Sequence, residues 1–165
     1  MSMPAETEDI DRAIAIFRAG IAAATEEGLA PRGWSVENWR ELFRFTDLRR
    51  ISAADALIRR GDPDCTLYFV LQGNLEVVVH SGDGISMGSL TRVGPGSVLG
   101  EQSFFDGKPR SATVWAVVDS EVAAMTPEQY AAFTAANPGL ARDLLFALGR
   151  ILAIRLRRTT AKVMG

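Results

Sequence analysis

Residues 96–118 read GSVLGEQSFFDGKPRSATVWAVV, in which one apolar run stops at Gly100-Glu101 and a second, β-branched and aromatic, resumes at Thr113. Both runs have the composition of strands, and the residues between them do not. The chain therefore leaves a sheet after Leu99 and re-enters it near Thr113. Small residues at the exit and Arg110-Ser111-Ala112 at the re-entry let backbone N–H groups and one guanidinium converge on a single anion. One phosphate group fits that description.

Outward from this excursion, short runs rich in Val, Ile, Leu and Tyr alternate with turn residues. The runs are LRRI, ALIRR, LYFVL, NLEVVVH, ISMGSLTRV and SVLG before it, and TVWAVV and EVAAM after it. Gly61-Asp62, Gly73-Asn74, Gly82-Asp83-Gly84 and Gly94-Pro95-Gly96 punctuate them. About eight antiparallel strands follow, the number in a jelly roll. Upstream, Ile10, Ala13, Ile14, Phe17, Ile21 and Ala24 share one helical face that Gly28 and Pro31 bring to an end. Ser35 stands as the N-cap of a second helix carrying Val36, Trp39, Leu42 and Phe43. Downstream, Thr126-Pro127 opens a helix that Asn137-Pro138 breaks.

The last helix carries two apolar stripes: Leu140, Leu144, Ala147, Ile151 and Ile154 on one, Leu145, Leu148, Leu152 and Leu156 on the other. Two stripes predict two packing partners, the β-structure and a second copy of the chain. The fold class expected is α+β: an eight-stranded antiparallel jelly-roll β-barrel with flanking N-terminal helices and a C-terminal helix. It divides into an N-terminal helical segment (1–47), a β-roll (48–125) containing the cassette at 96–118, and C-terminal helices (126–165), all in one domain.

At 165 residues and 47% hydrophobic, the chain can bury one core. A net charge of −2 and a pI near 5.5 give no electrostatic reason to expect nucleic acid or an anionic membrane as partner. One cysteine, Cys65, excludes an internal disulfide framework, and with the single His80 it cannot supply clustered metal ligands. The first residues are acidic and broken by Pro4, unlike a secretory signal, and no segment has the run of about 20 apolar residues of a membrane span. A cytoplasmic, non-enzymatic protein without a cofactor is expected.

The motifs resemble a known family closely. Leu99-Gly100-Glu101-Gln102-Ser103-Phe104, followed by Pro109-Arg110-Ser111-Ala112-Thr113-Val114, is similar to the phosphate-binding cassette of the cyclic-nucleotide-binding domains, F-G-E-x-A-L and then P-R-x-A-T-V. This family includes the sensor domain of the bacterial catabolite activator, the kinase A regulatory subunits and the nucleotide-gated channels. Arg110 follows Glu101 by nine positions, the spacing of the kinase-subunit form. Upstream, Gly61-Asp62 with Tyr68-Phe69-Val70 and Gly73 looks like the family's G-D…Y-F-V-x-x-G signature. The resemblance spans residues 35–163.

It implies a ligand, cAMP with cGMP as the alternative, and a set of roles. Arg110 would pair with the exocyclic phosphate oxygens through parallel donors. Glu101 would accept from the ribose 2′-hydroxyl. Backbone N–H groups near Gly100, Gln102, Ser103, Ser111 and Ala112, with a short helix starting near Gln102, would complete the phosphate cradle. The base would lie between Val77 and the last helix, where Arg155, Thr159 and Thr160 match the end of the catabolite activator's long helix and Arg150 competes as a lid residue.

Two positions depart from the pattern: Gln102 replaces an aliphatic residue, and Ser111 favours cAMP only mildly because its hydroxyl could also meet a guanine amino group. Each feature has a plainer reading beside it. Glu101 and Arg110 taken alone would form a simple loop ion pair. Arg155, Arg157, Arg158 and Lys162 read first as a solvated helix end. Trp34, Trp39 and Trp115 read as packing residues, His80 as an exposed turn-flanking residue and Cys65 as half-buried.

With no recognition helix after Gly165, the expected partners are the nucleotide, an effector protein and a second copy through the C-terminal helix, not nucleic acid. The helices before Asp47 offer a contact surface. A ligand-free protein-binding scaffold is the competing reading.

Overall fold

The computed structural model describes residues 7–24, 26–80 and 87–165, with backbone alone at 80 and 87–90. Two helices, α1 (Thr7–Ala23) and α2 (Val36–Phe43), precede the strands β1 (Asp47–Ile51), β2 (Ala56–Ile58), β3 (Leu67–Gln72), β4 (Leu75–His80), β5 (Met87–Val93) and β6 (Val98–Leu99). Then come α3 (Glu101–Asp106), β7 (Thr113–Ala116), β8 (Ser120–Met125), α4 (Pro127–Ala136) and α5 (Pro138–Met164).

The predicted caps form. Ser35 and Thr126 each accept from the backbone N–H three residues on, and Asn38 and Gln129 return the bond to the cap residue's own N–H. Two orphan donors are thus satisfied at the start of each helix. The reading of His80 and the turn at Gly82-Asp83-Gly84 lie outside the described side chains and residues.

Among the described residues eight antiparallel strands are present, but a closed barrel is not. The strands form two four-stranded sheets, β1-β8-β3-β6 and β2-β7-β4-β5, and no ladder joins them among the described residues. The strands that would carry a seam are too short to do so: β2 has three residues and β6 two.

The first sheet is covered on both faces, which explains why LYFVL and EVAAM read as continuous apolar runs instead of alternating ones. Successive side chains of a strand point to opposite faces. Leu67, Phe69 and Leu71 accordingly enter a core with α1, α2, α4 and α5, while Tyr68 and Val70 enter a second core between the sheets, with Leu75, Val114 and Ala116. Phe17 sits at the centre of the first core, edge-on to Trp39, Phe43 and Phe69 at 5.4, 5.8 and 5.9 Å between ring centroids. The N-terminal helices are therefore core elements. Trp39 is buried, Trp34 packs on it, Cys65 is half-buried, and Trp115 remains partly exposed.

The two stripes of α5 fare differently from expectation. Leu144, Ala147 and Ile151 of the first stripe are buried, and so is Leu148 of the second; Leu145 and Leu156 are exposed. One core absorbs Leu148 because it lies one turn from Leu144 on the same side. Among the described residues no helix is long and apolar enough to cross a membrane.

Candidate functional site

The site begins where β6 ends. Gly100 adopts φ +79°, and a Cβ there would come within 2.5 Å of Arg110 Nη1 and 2.6 Å of the Thr66 carbonyl oxygen. Only glycine meets both demands at no cost. The chain then turns at once into α3, burying Glu101 and Ser103, and ends that helix on Gly107, also left-handed. On the return, the Arg110 N–H donates to Asp62 O at 2.8 Å and the Gly61 N–H donates to Arg110 O at 2.9 Å. This pair of bonds fixes residue 110 against the loop before β3.

Arg110 is 4% exposed. Its Nη2 donates to Asp64 Oδ2 at 2.7 Å and to Thr66 O at 2.6 Å, and its Nη1 donates to Gly100 O at 3.1 Å. Three of the five N–H donors of a guanidinium are thereby used. Of the rest, Nε is buried with no protein partner. The Tyr68 ring lies below the cation, 5.7 Å from Cζ to the centroid. Asp64 supplies the counter-charge. Partial burial by itself would raise its pKa, but hydrogen bonds from Thr66 and Arg110, with the Arg110 charge, outweigh burial and hold the carboxyl below its ordinary value.

Across from Arg110, Arg155 of α5 reaches down to Glu101, Nη1 to Oε1 at 2.7 Å, and its Nη2 donates to Val98 O at 2.9 Å. Between them lies a cavity of about 340 Å³. That volume falls at the small end of ligand pockets, about 300–1,000 Å³. The Ser111 hydroxyl donates to Gln102 Oε1 at 2.7 Å at its rim. A buried guanidinium, the start of a short helix and an opposed carboxylate thus share the wall of one cavity.

A family model described as the cyclic nucleotide-binding domain matches residues 48–137. The chain belongs to that family. Among curated relatives, the cAMP-activated global transcriptional regulator CRP of Haemophilus influenzae is 34% identical over 117 residues, 70% of this chain and 50% of that protein. Vfr of Pseudomonas aeruginosa, of the same description, is 34% identical over 119 residues, 70% of this chain and 53% of its own length. The chain thus spans about half the length of these relatives. The Thermus thermophilus catabolite activator protein superposes with a TM-score of 0.72 at 27% identity, covering 81% of this chain and 62% of that one. A cyclic nucleotide-binding domain from Methylobacillus flagellatus superposes over 93% of this chain and 84% of its own, TM-score 0.80, and at 23% identity shares the fold.

In this cyclic nucleotide-binding domain the cavity collects Gly100, Glu101, Gln102, Ser103, Arg110, Ser111, Ala112, Val77, Arg155 and Thr159. Thr160 is the exception. It lines a separate depression with Leu156, Ala161 and Met164, because neighbouring helix residues point about 100° apart and cannot both face one cavity. Arg150 is exposed and lies away from the lining. Arg155 is tied to Glu101, half-exposed Arg158 pairs with Glu27, and both line the cavity together with Lys162, so three of the four cations do more than solvate a helix end.

The sequence reading missed Asp64, Glu27 and the inward face of Arg158. The Asp64 contact spans 46 positions and that of Glu27 with Arg158 spans 131. The one local signal was the acidic pair Glu26-Glu27, placed in a connector opposite a basic helix end.

Proposed function

We propose that this cyclic nucleotide-binding domain is a cAMP-responsive regulatory module that passes occupancy of its cavity to a partner protein or to a second copy through α5. The observation that carries the reading is Arg110: a buried cation on the cavity wall, braced by Asp64 and two carbonyls, with a buried Nε donor that no protein group meets. A cyclic phosphate supplies one anionic acceptor of the right size. The ribose hydroxyl then donates to Glu101, and the backbone N–H groups at the start of α3 add donors to the phosphate. The base extends along Val77 toward Thr159. Preference for cAMP draws its support from the relatives, which are named as cAMP-activated regulators.

Glu101 joins ligand to output. In the protein it is held by Arg155, so a ribose that engages Glu101 alters the pair that seats α5, and occupancy biases the position of that helix. The face of α5 that carries exposed Leu145, Leu156 and Val163 is the surface offered to a second copy.

Calorimetric titration with cAMP and with cGMP, run separately, tests the reading. Heat with cAMP, weaker binding of cGMP, and a loss on the order of ten- to a hundredfold or more in Arg110→Ala are expected, since hydrogen bonds to charged groups are worth about 1.5–3 kcal/mol. Silence with both nucleotides would leave the scaffold reading in its place.

A further inference from the structure

The end of α1 and the connector that follows it lie outside the matched residues 48–137, yet they reach both the turn before β6 and the cavity itself. First, the last turns of α1 and Leu29 of the connector meet the turn that leads into β6. A Cβ at Gly20 would stand 2.5 Å from the Pro95 carbonyl carbon, a Cβ at Gly96 would stand 2.5 Å from Ile21 N, and the Leu29 N–H donates to Gly96 O at 3.0 Å. Second, Glu27 lines the cavity itself. Its side chain is 17% exposed, it pairs with Arg158 Nη1, and its Oε2 lies 3.6 Å from Arg155 Nε. Arg155 consequently stands in a line of carboxylate, guanidinium and carboxylate, Glu27–Arg155–Glu101. Neighbouring Glu26 only reaches Arg158 at 3.5 Å, is 74% exposed, and is not part of the cavity wall.

We propose that Glu27 is a positioning residue of the nucleotide site, holding Arg155 and Arg158 of α5 over the cavity, so that the connector after α1 is part of the binding unit. The proposal rests on the nucleotide reading of the cavity. Two effects of Glu27 on an anionic ligand oppose each other. As a carboxylate on the wall it repels the phosphate, so neutralising it would tighten binding by Coulomb's law alone. As the anchor of two arginines it keeps the lid seated, so neutralising it would speed release. Positioning outweighs repulsion here, because Glu27 is already compensated by two guanidinium groups while α5 has no other carboxylate from the connector within the cavity wall.

Stopped-flow kinetics with 8-NBD-cAMP, whose fluorophore sits on the base and leaves the ribose 2′-hydroxyl free for Glu101, separate the two. Glu27→Gln is expected to raise the dissociation rate on the order of tenfold with a smaller change in association. Glu27→Asp, which keeps the charge on a shorter arm, should fall between it and the parent, and Glu26→Gln should match the parent. Melting of each variant without nucleotide identifies any loss of folding; should Glu27→Gln not fold, the Glu27→Asp dissociation rate decides alone. Unchanged or slower dissociation in Glu27→Gln, with the parent binding normally, overturns this proposal and leaves the nucleotide reading standing. A parent chain that binds neither this probe nor unlabelled cAMP overturns both.

Discussion

At the scale of single residues, the site is organised around a cation held in place before any ligand is considered. Arg110 is buried, and a buried charge is tolerated only when paired and hydrogen-bonded. Asp64 and the carbonyls of Thr66 and Gly100 meet that requirement and leave the cavity-side geometry fixed. Asp64 also gives the fold a pH dependence of known sign. Its folded pKa lies below the ordinary carboxylate value, about 3.9, so between the two values the unfolded chain binds more protons and stability rises with pH. The contribution is complete above about pH 4–5 and is lost as pH falls through the lower, folded value. Asp64→Asn should therefore melt below the parent at neutral pH, and the gap between the two should close in acid. A gap that stayed constant down to pH 2 would place the stabilisation elsewhere.

At the scale of elements, the crossing of α1 over the Gly94–Ser97 turn pits two effects against each other. Replacing a helical glycine by alanine is worth about 1 kcal/mol in propensity. At Gly20 the added methyl meets the Pro95 carbonyl carbon at 2.5 Å, backbone that cannot swing aside, and overpacking of this kind costs about 1–3 kcal/mol. Gly20→Ala should thus lower the midpoint of urea unfolding, whereas an alanine at exposed Gly149, where nothing lies within 4 Å, should raise it.

Such contacts mark the boundary of what was legible in the sequence. Strands, caps and breaks were legible because they depend on neighbours: Ser35 and Thr126 announce helices through bonds three residues away. Gly100, Glu101 and Arg110 were legible because the excursion that unites them is short. Glu27 and Asp64 were not, since their partners are brought to them only by the completed fold. Thr160 was misplaced for a related reason, a local pairing with Thr159 that ignores the rotation of the helix. The barrel was overdrawn because eight strands do not state whether their outermost members are long enough to meet.

At the scale of the whole molecule, α5 has one buried side and one bare. Leu145, Leu156 and Val163 lie along one strip of that helix and are 37%, 67% and 79% exposed, clear of the side packed in the core. An apolar row of that length on a monomer marks an association surface. Sedimentation velocity should find a concentration-dependent dimer, and Leu156→Glu should shift the protein to monomer with its melting temperature nearly unchanged. A parent chain that stays monomeric to high concentration, with and without nucleotide, would remove the second copy from the proposed output.

The meeting of Phe17, Trp39 and Phe43 with Phe69 has a practical corollary. The stretch that homology outlines, residues 48–137, omits three of those four rings. Anyone transplanting the domain into a biosensor by cutting at the homology limits would slice through the interior, exposing one wall of the first sheet to water. The transferable cassette of this protein starts at α1.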